Sequence, residues 1–382
     1  MDSISKPIAD LSIMHIGAGR YDPNDRSHPT WDIWRRLALG FRSYTVFVRS
    51  NDASGALVEE GNLRIYMIPS YFRSEFEFFI LQFKMLLVVK CSRPDVIVCQ
   101  STVLGGLAAT LAKFLFKSKI LVEMHGAEYF HSNERSFKAK FLIIFSKCIM
   151  KYFDRIRLLS EGMRRDFIQI YGSEFENRIR LLPPRVDLNC FTKSERLEKG
   201  DNGAPLQIAM LGAVNPNKGQ MRALNALILS RASVLIHIIG DGPDLEECKI
   251  LVKSAGWNER VFFHGRKNHQ DVAAILRSVD VFLMYSKSEG TPRAIIEAMA
   301  SGLPVITTDV GYCADLVCEG VNGFLLKDNV DEQLVRTLEI LSRNRDLGRR
   351  MGFAGREKAT TCFDGDSLFA QYRALILEAS EC

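Results

Sequence analysis

Two carboxylates, Glu289 and Glu297, stand in the segment Ser288-Glu289-Gly290-Thr291-Pro292-Arg293-Ala294-Ile295-Ile296-Glu297-Ala298-Met299-Ala300-Ser301-Gly302-Leu303-Pro304-Val305-Ile306. In one continuous helix, side chains at that spacing would lie roughly 80° apart around the axis. They converge if Glu289 sits on a loop before the helix and Glu297 inside it. The local chemistry predicts that arrangement, since Thr291 suits an N-cap and Pro292 the first helical position. Backbone N–H groups near Gly290 to Arg293 then face the same space as both carboxylates. A helix start of this kind takes a phosphate, or negative charge on a leaving group. Gly302 ends the helix, and Val305-Ile306-Thr307-Thr308-Asp309 reads as the next buried strand. The segment therefore predicts a polar pocket at the edge of an α/β sheet, suited to a sugar phosphate.

Other chemistry-bearing residues fall at the ends of predicted strands. Gly17-Ala18-Gly19 follows the first strand. Small residues there either form a tight strand-to-helix turn or let backbone approach a phosphate. His125-Gly126 ends the strand Ile120–His125, and Lys218-Gly219 closes the loop Gly212-Ala213-Val214-Asn215-Pro216-Asn217-Lys218-Gly219. Lys218 can serve as a point charge on a phosphate. Arg293 is either a solvated residue of the first helical turn or a second phosphate cation. Gly240-Asp241-Gly242-Pro243 is either a structural turn or a ligand-contacting one. Asp364-Gly365-Asp366 has the look of a metal-binding pair but reads as a helix cap through Asp366 or Ser367. The histidines His15, His28, His131, His237, His264 and His269 read as structural.

The Glu-Gly-Thr-Pro start at Glu289, the Glu-Ala-Met-Ala-x-Gly-x-Pro-Val run from Glu297 and the later Gly323-Phe324-Leu325-Leu326 together resemble one family. They are similar to the Glu-x7-Glu motif of retaining nucleotide-sugar glycosyltransferases with the GT-B fold, the group 1 or family 4 type that includes bacterial polysaccharide and glycolipid transferases. The resemblance implies His125, Lys218 and Glu289 as catalytic residues. It implies donor contacts from Gly17, Gly19, Lys218, Arg266, Gly290, Thr291, Pro292, Arg293 and Glu297. Within that set His125 contacts the donor sugar, Glu289 its hydroxyls and Glu297 the ribose, while backbone at Gly265-Arg266 reads the base. In the family an Arg just after the first Gly of the Lys218 loop helps to hold the pyrophosphate, and Ala213 stands in its place here. Losing one charge-assisted contact typically removes about 1.5–3 kcal/mol, and Arg293 is the expected substitute. Gly311 and Asp315 follow the next strand, with Tyr312 where a second Gly is usual.

The implied activity is retaining transfer of a sugar from a UDP- or GDP-linked donor to a hydroxyl of a glycan or lipid-linked saccharide. The setting is cell-surface polysaccharide or glycolipid biosynthesis, and no metal is expected. A nucleotide-sugar 2-epimerase shares the architecture but not the Glu-Gly-Thr-Pro block. An inactive GT-B scaffold subunit has Ala213 as its sequence support, against intact Glu289, Glu297, Lys218 and His125. A glycoside hydrolase would use paired carboxylates but leave Lys218 without a role.

The elements that must position these residues alternate from end to end. Strand candidates are Ile13–Gly17, Thr45–Arg49, Ile65–Ile68, Val96–Gln100, Ile120–His125 and Ile156–Ser160, then Gln207–Leu211, Val234–Ile239, Val261–His264, Val281–Tyr285, Val305–Thr308 and Phe324–Leu326. Helical stretches between them predict parallel sheets covered on both faces. The polar stretch Lys193 to Pro205 predicts a linker. The expected fold is α/β, two doubly wound Rossmann-like domains facing across a cleft. Residues 1–192 form the acceptor-side domain and 193–365 the donor-side domain, with a helix over 366–382 crossing back to the first. Acceptor choice is expected in loops such as Tyr21 to Thr30 and Tyr71 to Phe79.

With 382 residues, the chain exceeds one typical domain. A formal charge of +5 is small for that length and does not point to nucleic acid. Basic residues concentrate between positions 111 and 165. There the stretch Arg135 to Phe153 interleaves lysines with aromatics, and it either rests on an anionic membrane or packs on the sheet with snorkelling lysines. The nine cysteines are dispersed without a Cys-x-x-Cys pair, which suggests free thiols in a reducing compartment. With no signal-like start and no apolar run near 18 residues, a cytoplasmic protein is expected, possible peripheral contact with the inner membrane face included.

Overall fold

A computed structural model describes residues 6–25, 30–51, 55–69, 82–102, 105–125, 137–192, 204–230 and 232–382. The expected linker is outside the described residues over 193–203. The loop at 71–79 lies wholly outside them, as do 26–29, Gly126, His28 and His131. The chain divides into two compact units, Met1–Leu182 with Phe369–Cys382, and Pro183–Leu368.

The first unit is built on an eight-stranded sheet. Its strands are β1 (Ser12–Tyr21), β2 (Ser43–Ser50), β3 (Ala56–Glu60), β4 (Leu63–Ile68), β5 (Val96–Cys99), β6 (Lys119–Glu123), β7 (Arg155–Leu158) and β8 (Ile179–Leu181), in the order β3-β4-β2-β1-β5-β6-β7-β8. Every pairing is parallel except β3 with β4. β5 is buried along its whole length, as β2 is from Tyr44 on, which is why they read as near-continuous apolar runs. β3 has no such run because it is an edge strand whose outward residues include Glu59.

The second unit carries β9 (Leu206–Leu211), β10 (Val234–Ile239), β11 (Val261–Gly265), β12 (Val281–Met284), β13 (Val305–Thr308) and β14 (Gly323–Leu326). They form a wholly parallel sheet in the order β11-β10-β9-β12-β13-β14. Two apolar clusters are built on this sheet. One gathers Ile295, Ala298 and Met299 with Phe282, the other Leu224 and Leu227 with Ile236 and Leu283. The strand order reverses between β9 and β12, the point where doubly wound sheets bind ligands at their carboxyl ends.

The last helix, Gly365–Ser380, starts one residue earlier than the expected 366. Its cap is Asp364, whose carboxylate accepts from Ser367 N at 2.9 Å, and neither Asp366 nor Ser367 does that job. Arg36 stacks over Phe369 of this helix at 4.2 Å, and Glu378 pairs with Arg155 at 2.9 Å.

Candidate active site

The loops that follow β9 and β12 place Lys218 and Glu289 at the reversal point. Lys218 Nζ lies 2.6 Å from Glu289 Oε1, and Ser286 Oγ donates to the same oxygen at 2.6 Å. The loops are also tied by backbone, with Lys287 N donating to Asn217 O at 2.7 Å and Asn217 Nδ2 to Ser288 O at 3.0 Å. Asn215 Oδ1 turns the Lys218 loop by accepting from Lys218 N at 2.9 Å. Two glycines allow this closeness. Gly219 has φ +73, and a Cβ there would sit 2.2 Å from Tyr285 O; Gly311 has φ +57, and its Cβ would sit 1.9 Å from Glu289 O. Tyr312 N, beside it, donates to Gly290 O at 3.2 Å.

The helix after Glu289 runs Arg293–Ala300, so Glu289 precedes it and Glu297 lies inside it. Its start differs from the sequence expectation by one residue. Pro292, extended at φ −74 and ψ 112, is the N-cap, Arg293 is the first helical residue, and Thr291 makes no cap bond. The Thr291 hydroxyl is instead buried with no hydrogen-bond partner among the described residues. A proline cap brings no side-chain acceptor, so the first amides of the helix, those of Arg293 and Ala294, receive no side-chain cap bond from it. Gly302, at φ +73, ends it.

Glu297 is buried, 8% exposed, on the second turn of this helix. Its nearest cation is Arg293, with Nη2 at 3.7 Å from Oε1 and its own side chain 54% exposed. Burial pushes the Glu297 carboxyl up to about 7, and Arg293 opposes that only weakly. Gly290 lies with Glu289 on the loop before the helix. Arg266 is exposed just past β11, the edge strand, two strands away from β9.

The remaining candidates belong to the first unit. Gly17 and Gly19 lie within β1 and not in a turn after it. Between Ile16, opposite Phe47, and Arg20, opposite Arg49, the strand spends three residues against one of β2, a bulge that small residues permit. The strand before His125 ends at Glu123, two residues short of the expected end, and His125 is half exposed beyond it. His125 Nε2 lies 3.3 Å from Glu123 Oε2.

Behind Glu123 is a buried polar cluster that the sequence reading did not anticipate. Arg157, its register partner on β7, holds Glu123 Oε1 at 2.6 Å and donates to Leu182 O at 3.0 Å. His15 Nε2 is 3.9 Å from Glu123 Oε2, and His15 Nδ1 meets Tyr44 Oη at 3.0 Å. Arg157 also lies over the ring of Tyr372, from the last helix, at 5.2 Å. Burial raises the Glu123 carboxyl, but Arg157, His125 and His15 outweigh it and hold it well below the usual range. The available signal was the two-residue spacing of Glu123 and His125, which places both on one face of an extended chain. Ser286 and Asn217 were likewise missed, although each lies within three residues of a named site residue.

Two family models match the chain. One, described as glycosyl transferases group 1, takes in residues 192–358, and the other, glycosyltransferase family 4, takes in 34–189. Among curated relatives, the D-inositol 3-phosphate glycosyltransferase of Nocardia farcinica is 28% identical over 54% of this chain and 49% of its own, so the chain spans about half that relative's length. A GDP-mannose-dependent alpha-(1-6)-phosphatidylinositol monomannoside mannosyltransferase of Mycobacterium tuberculosis is 25% identical over 69% of this chain and 71% of its own. Among solved structures, HepE of Anabaena in complex with UDP superposes with a TM-score of 0.74 at 16% identity, covering 95% of this chain and 99% of that one. That likeness shows the fold, which is GT-B. With the two models together spanning most of the chain, it belongs to the group 1 glycosyltransferases of the GT-B fold.

Proposed function

We propose that the chain transfers a sugar, with retention, from a nucleotide-diphosphate sugar to a hydroxyl of a glycan or lipid-linked saccharide in cell-surface polysaccharide or glycolipid biosynthesis. The observation that carries this reading is the Lys218–Glu289 pair at the strand reversal, with Glu289 on the loop before a helix start that has no side-chain cap. The bond from the anomeric carbon to the donor phosphate breaks while a bond to the acceptor oxygen forms, and the acceptor proton passes to the departing diphosphate. Charge on that diphosphate is taken up by Lys218, the amides of Arg293 and Ala294, and the Arg293 guanidinium. Glu289 accepts from donor-sugar hydroxyls, Glu297 from the nucleotide ribose, and His125 contacts the sugar. No step is assigned to a metal, so chelation with EDTA is expected to leave turnover unchanged. Relatives whose names include a phosphatidylinositol mannoside acceptor and a bound UDP support the acceptor and donor classes.

The test is thermal stabilisation by a panel of UDP- and GDP-sugars, for wild type and Glu297→Ala. A ligand at about 100 times its dissociation constant adds roughly 2.7 kcal/mol to the folded state. One nucleotide sugar stabilising only the wild type is the expected result, and none doing so overturns the donor site. Conversion of that sugar without any acceptor would favour the 2-epimerase. Arg293→Ala is expected to weaken the donor by about tenfold or more if Arg293 replaces the cation missing at Ala213.

A peripheral membrane contact completes the reading. Helices Met85–Ser92, Gly106–Phe116 and Phe137–Met150 expose Leu87, Phe114, Leu115 and Ile144, each more than half open to solvent. Exposed Lys90, Lys117, Lys147 and Lys151 lie on or just beyond the same helices. Exposed apolar side chains on helices that also carry exposed lysines fit an anionic lipid surface. No helix of the described residues is long and apolar enough to cross a membrane. Cosedimentation with anionic but not zwitterionic liposomes at low salt is expected, and no lipid-dependent pelleting would remove this part.

A further inference from the structure

We propose that Glu123 is a positioning residue for His125: it takes the Nε2 proton of the imidazole as a hydrogen bond and leaves Nδ1 as the ring's one remaining polar atom, an acceptor for a sugar hydroxyl. This rests on the reading of His125 as a donor-sugar contact. An ionised carboxylate only accepts, so the 3.3 Å contact to Glu123 Oε2 requires a proton on Nε2. In the neutral imidazole the other nitrogen then carries a lone pair.

Glu123 is built to stay ionised. It is 1% exposed, Arg157 holds its other oxygen at 2.6 Å, and Arg157 is itself fixed by Leu182 O. The groups facing this carboxylate come from five elements besides its own. They are Arg157 on β7, His15 on β1, Tyr44 beyond His15 on β2, the Cys99 thiol on β5, and Tyr372 on the last helix. Burial and the Glu123 charge both push the Cys99 thiol up, and burial followed by Glu123 does the same to the Tyr372 phenol. Both of these acids therefore stay neutral beside it. Glu123 thus has one cation of its own and one oxygen turned to the imidazole of a half-exposed histidine. A carboxylate behind a working histidine is the usual way to fix which nitrogen bears the proton.

Glu123→Gln gives a distinctive expectation. Arg157 only donates, so the carboxamide oxygen must face it and the NH2 must face His125. That reverses the ring: Nε2 becomes the acceptor, and Nδ1 becomes a donor to the substrate. Long-range nitrogen–proton correlation NMR on the full chain reads the tautomer directly, with the His125 signal identified by its loss in His125→Ala. The proposal expects the Nε2–H form in the wild type and the Nδ1–H form in Glu123→Gln. It expects kcat to fall by about tenfold in Glu123→Gln, as removal of such outer partners typically does. It also expects no further fall when the same change is made in the His125→Ala background, because the effect runs through the ring. A wild-type Nδ1–H tautomer, or equal losses in both backgrounds, overturns the positioning role. If Glu123→Gln does not fold, the wild-type tautomer alone decides. If His125→Ala turns over normally while the tautomer is as expected, the donor-contact reading fails and the positioning of the ring stands.

Discussion

Glu123 in the first unit and Glu297 in the second are both buried carboxylates, and their electrostatics run in opposite directions. Glu123 has a buried guanidinium at 2.6 Å, and is held well below the usual range. Glu297 has only the outer end of a half-exposed Arg293 at 3.7 Å, and burial raises it to about 7. Burial penalises both charges, so the difference lies in the partner. The first unit completes its own ion pair. The second leaves a carboxyl under-solvated, with a buried Thr291 hydroxyl nearby in sequence that has no partner among the described residues, as a site does when an external molecule supplies the missing bonds.

Removing Arg157 is expected to have the largest effect on stability. Arg157→Leu leaves Glu123 buried without its cation, which typically costs about 3–5 kcal/mol. Urea unfolding of the full chain should show that loss. Adding Glu123→Leu should return most of it, because a buried apolar pair replaces a buried ion pair at little cost. A loss in Arg157→Leu below about 1 kcal/mol would mean that Glu123 is not held by this pair.

The next test inverts the sign at Glu297. Its folded-state value is about 7 against an ordinary value of 4.5, so folding takes up a proton between those limits. Stability is therefore lost as pH rises through that window, and the cost is complete above it. Glu297→Gln is expected to stabilise the unliganded protein by up to about 3 kcal/mol at pH 8, with the gain shrinking toward zero at pH 4. Denaturant midpoints of both proteins across that range check it, and a pH-independent difference would contradict it.

Ligand binding sharpens the same point. If two ribose hydroxyls donate to Glu297, one to each oxygen, both oxygens must accept, so binding requires the ionised form and releases a proton. Donor affinity should then rise about tenfold from pH 6 to pH 8, where ionisation goes from a small to a large fraction. Titration calorimetry in two buffers would detect the proton, and Glu297→Gln should lose the pH dependence. An affinity that is flat with pH in the wild type would place the ribose elsewhere.

Which of these two carboxylates could be read from sequence follows from chain separation. Glu289, the helix start and Glu297 lie within nine residues, so spacing and turn chemistry expose them, and only the cap was misplaced, by the proline's extended conformation. Twelve of the fourteen described strands were legible because buried parallel strands are largely apolar, whereas β3 and β8, the edge strands of the first sheet, have no such run and were missed. The cluster around Glu123 draws on His15, Arg157 and Tyr372, and only register and packing bring them together. Arg157 sat within a strand that read as apolar filling, and the Gly17–Gly19 bulge was hidden because a strand can absorb extra residues without losing its pairing.

The smallest effect belongs to Arg293, and it isolates exposure as the variable. Arg293 and Arg157 each face a buried glutamate, yet Arg293 is 54% exposed and Arg157 is 7% exposed at the side chain. Water already solvates Arg293, and an exposed cation held at that range is worth less than about 1 kcal/mol. Arg293→Ala should therefore lower stability by no more than that at pH 8, where Glu297 is ionised, and by nothing measurable at pH 4, where it is not. It should also move the Glu297 titration further upward, since the one opposing charge is gone. The residual effect at pH 8 should shrink as salt is raised, because exposed pairs are screened, whereas the Arg157→Leu loss should persist. Equal salt sensitivity of the two variants would mean that burial does not separate these pairs.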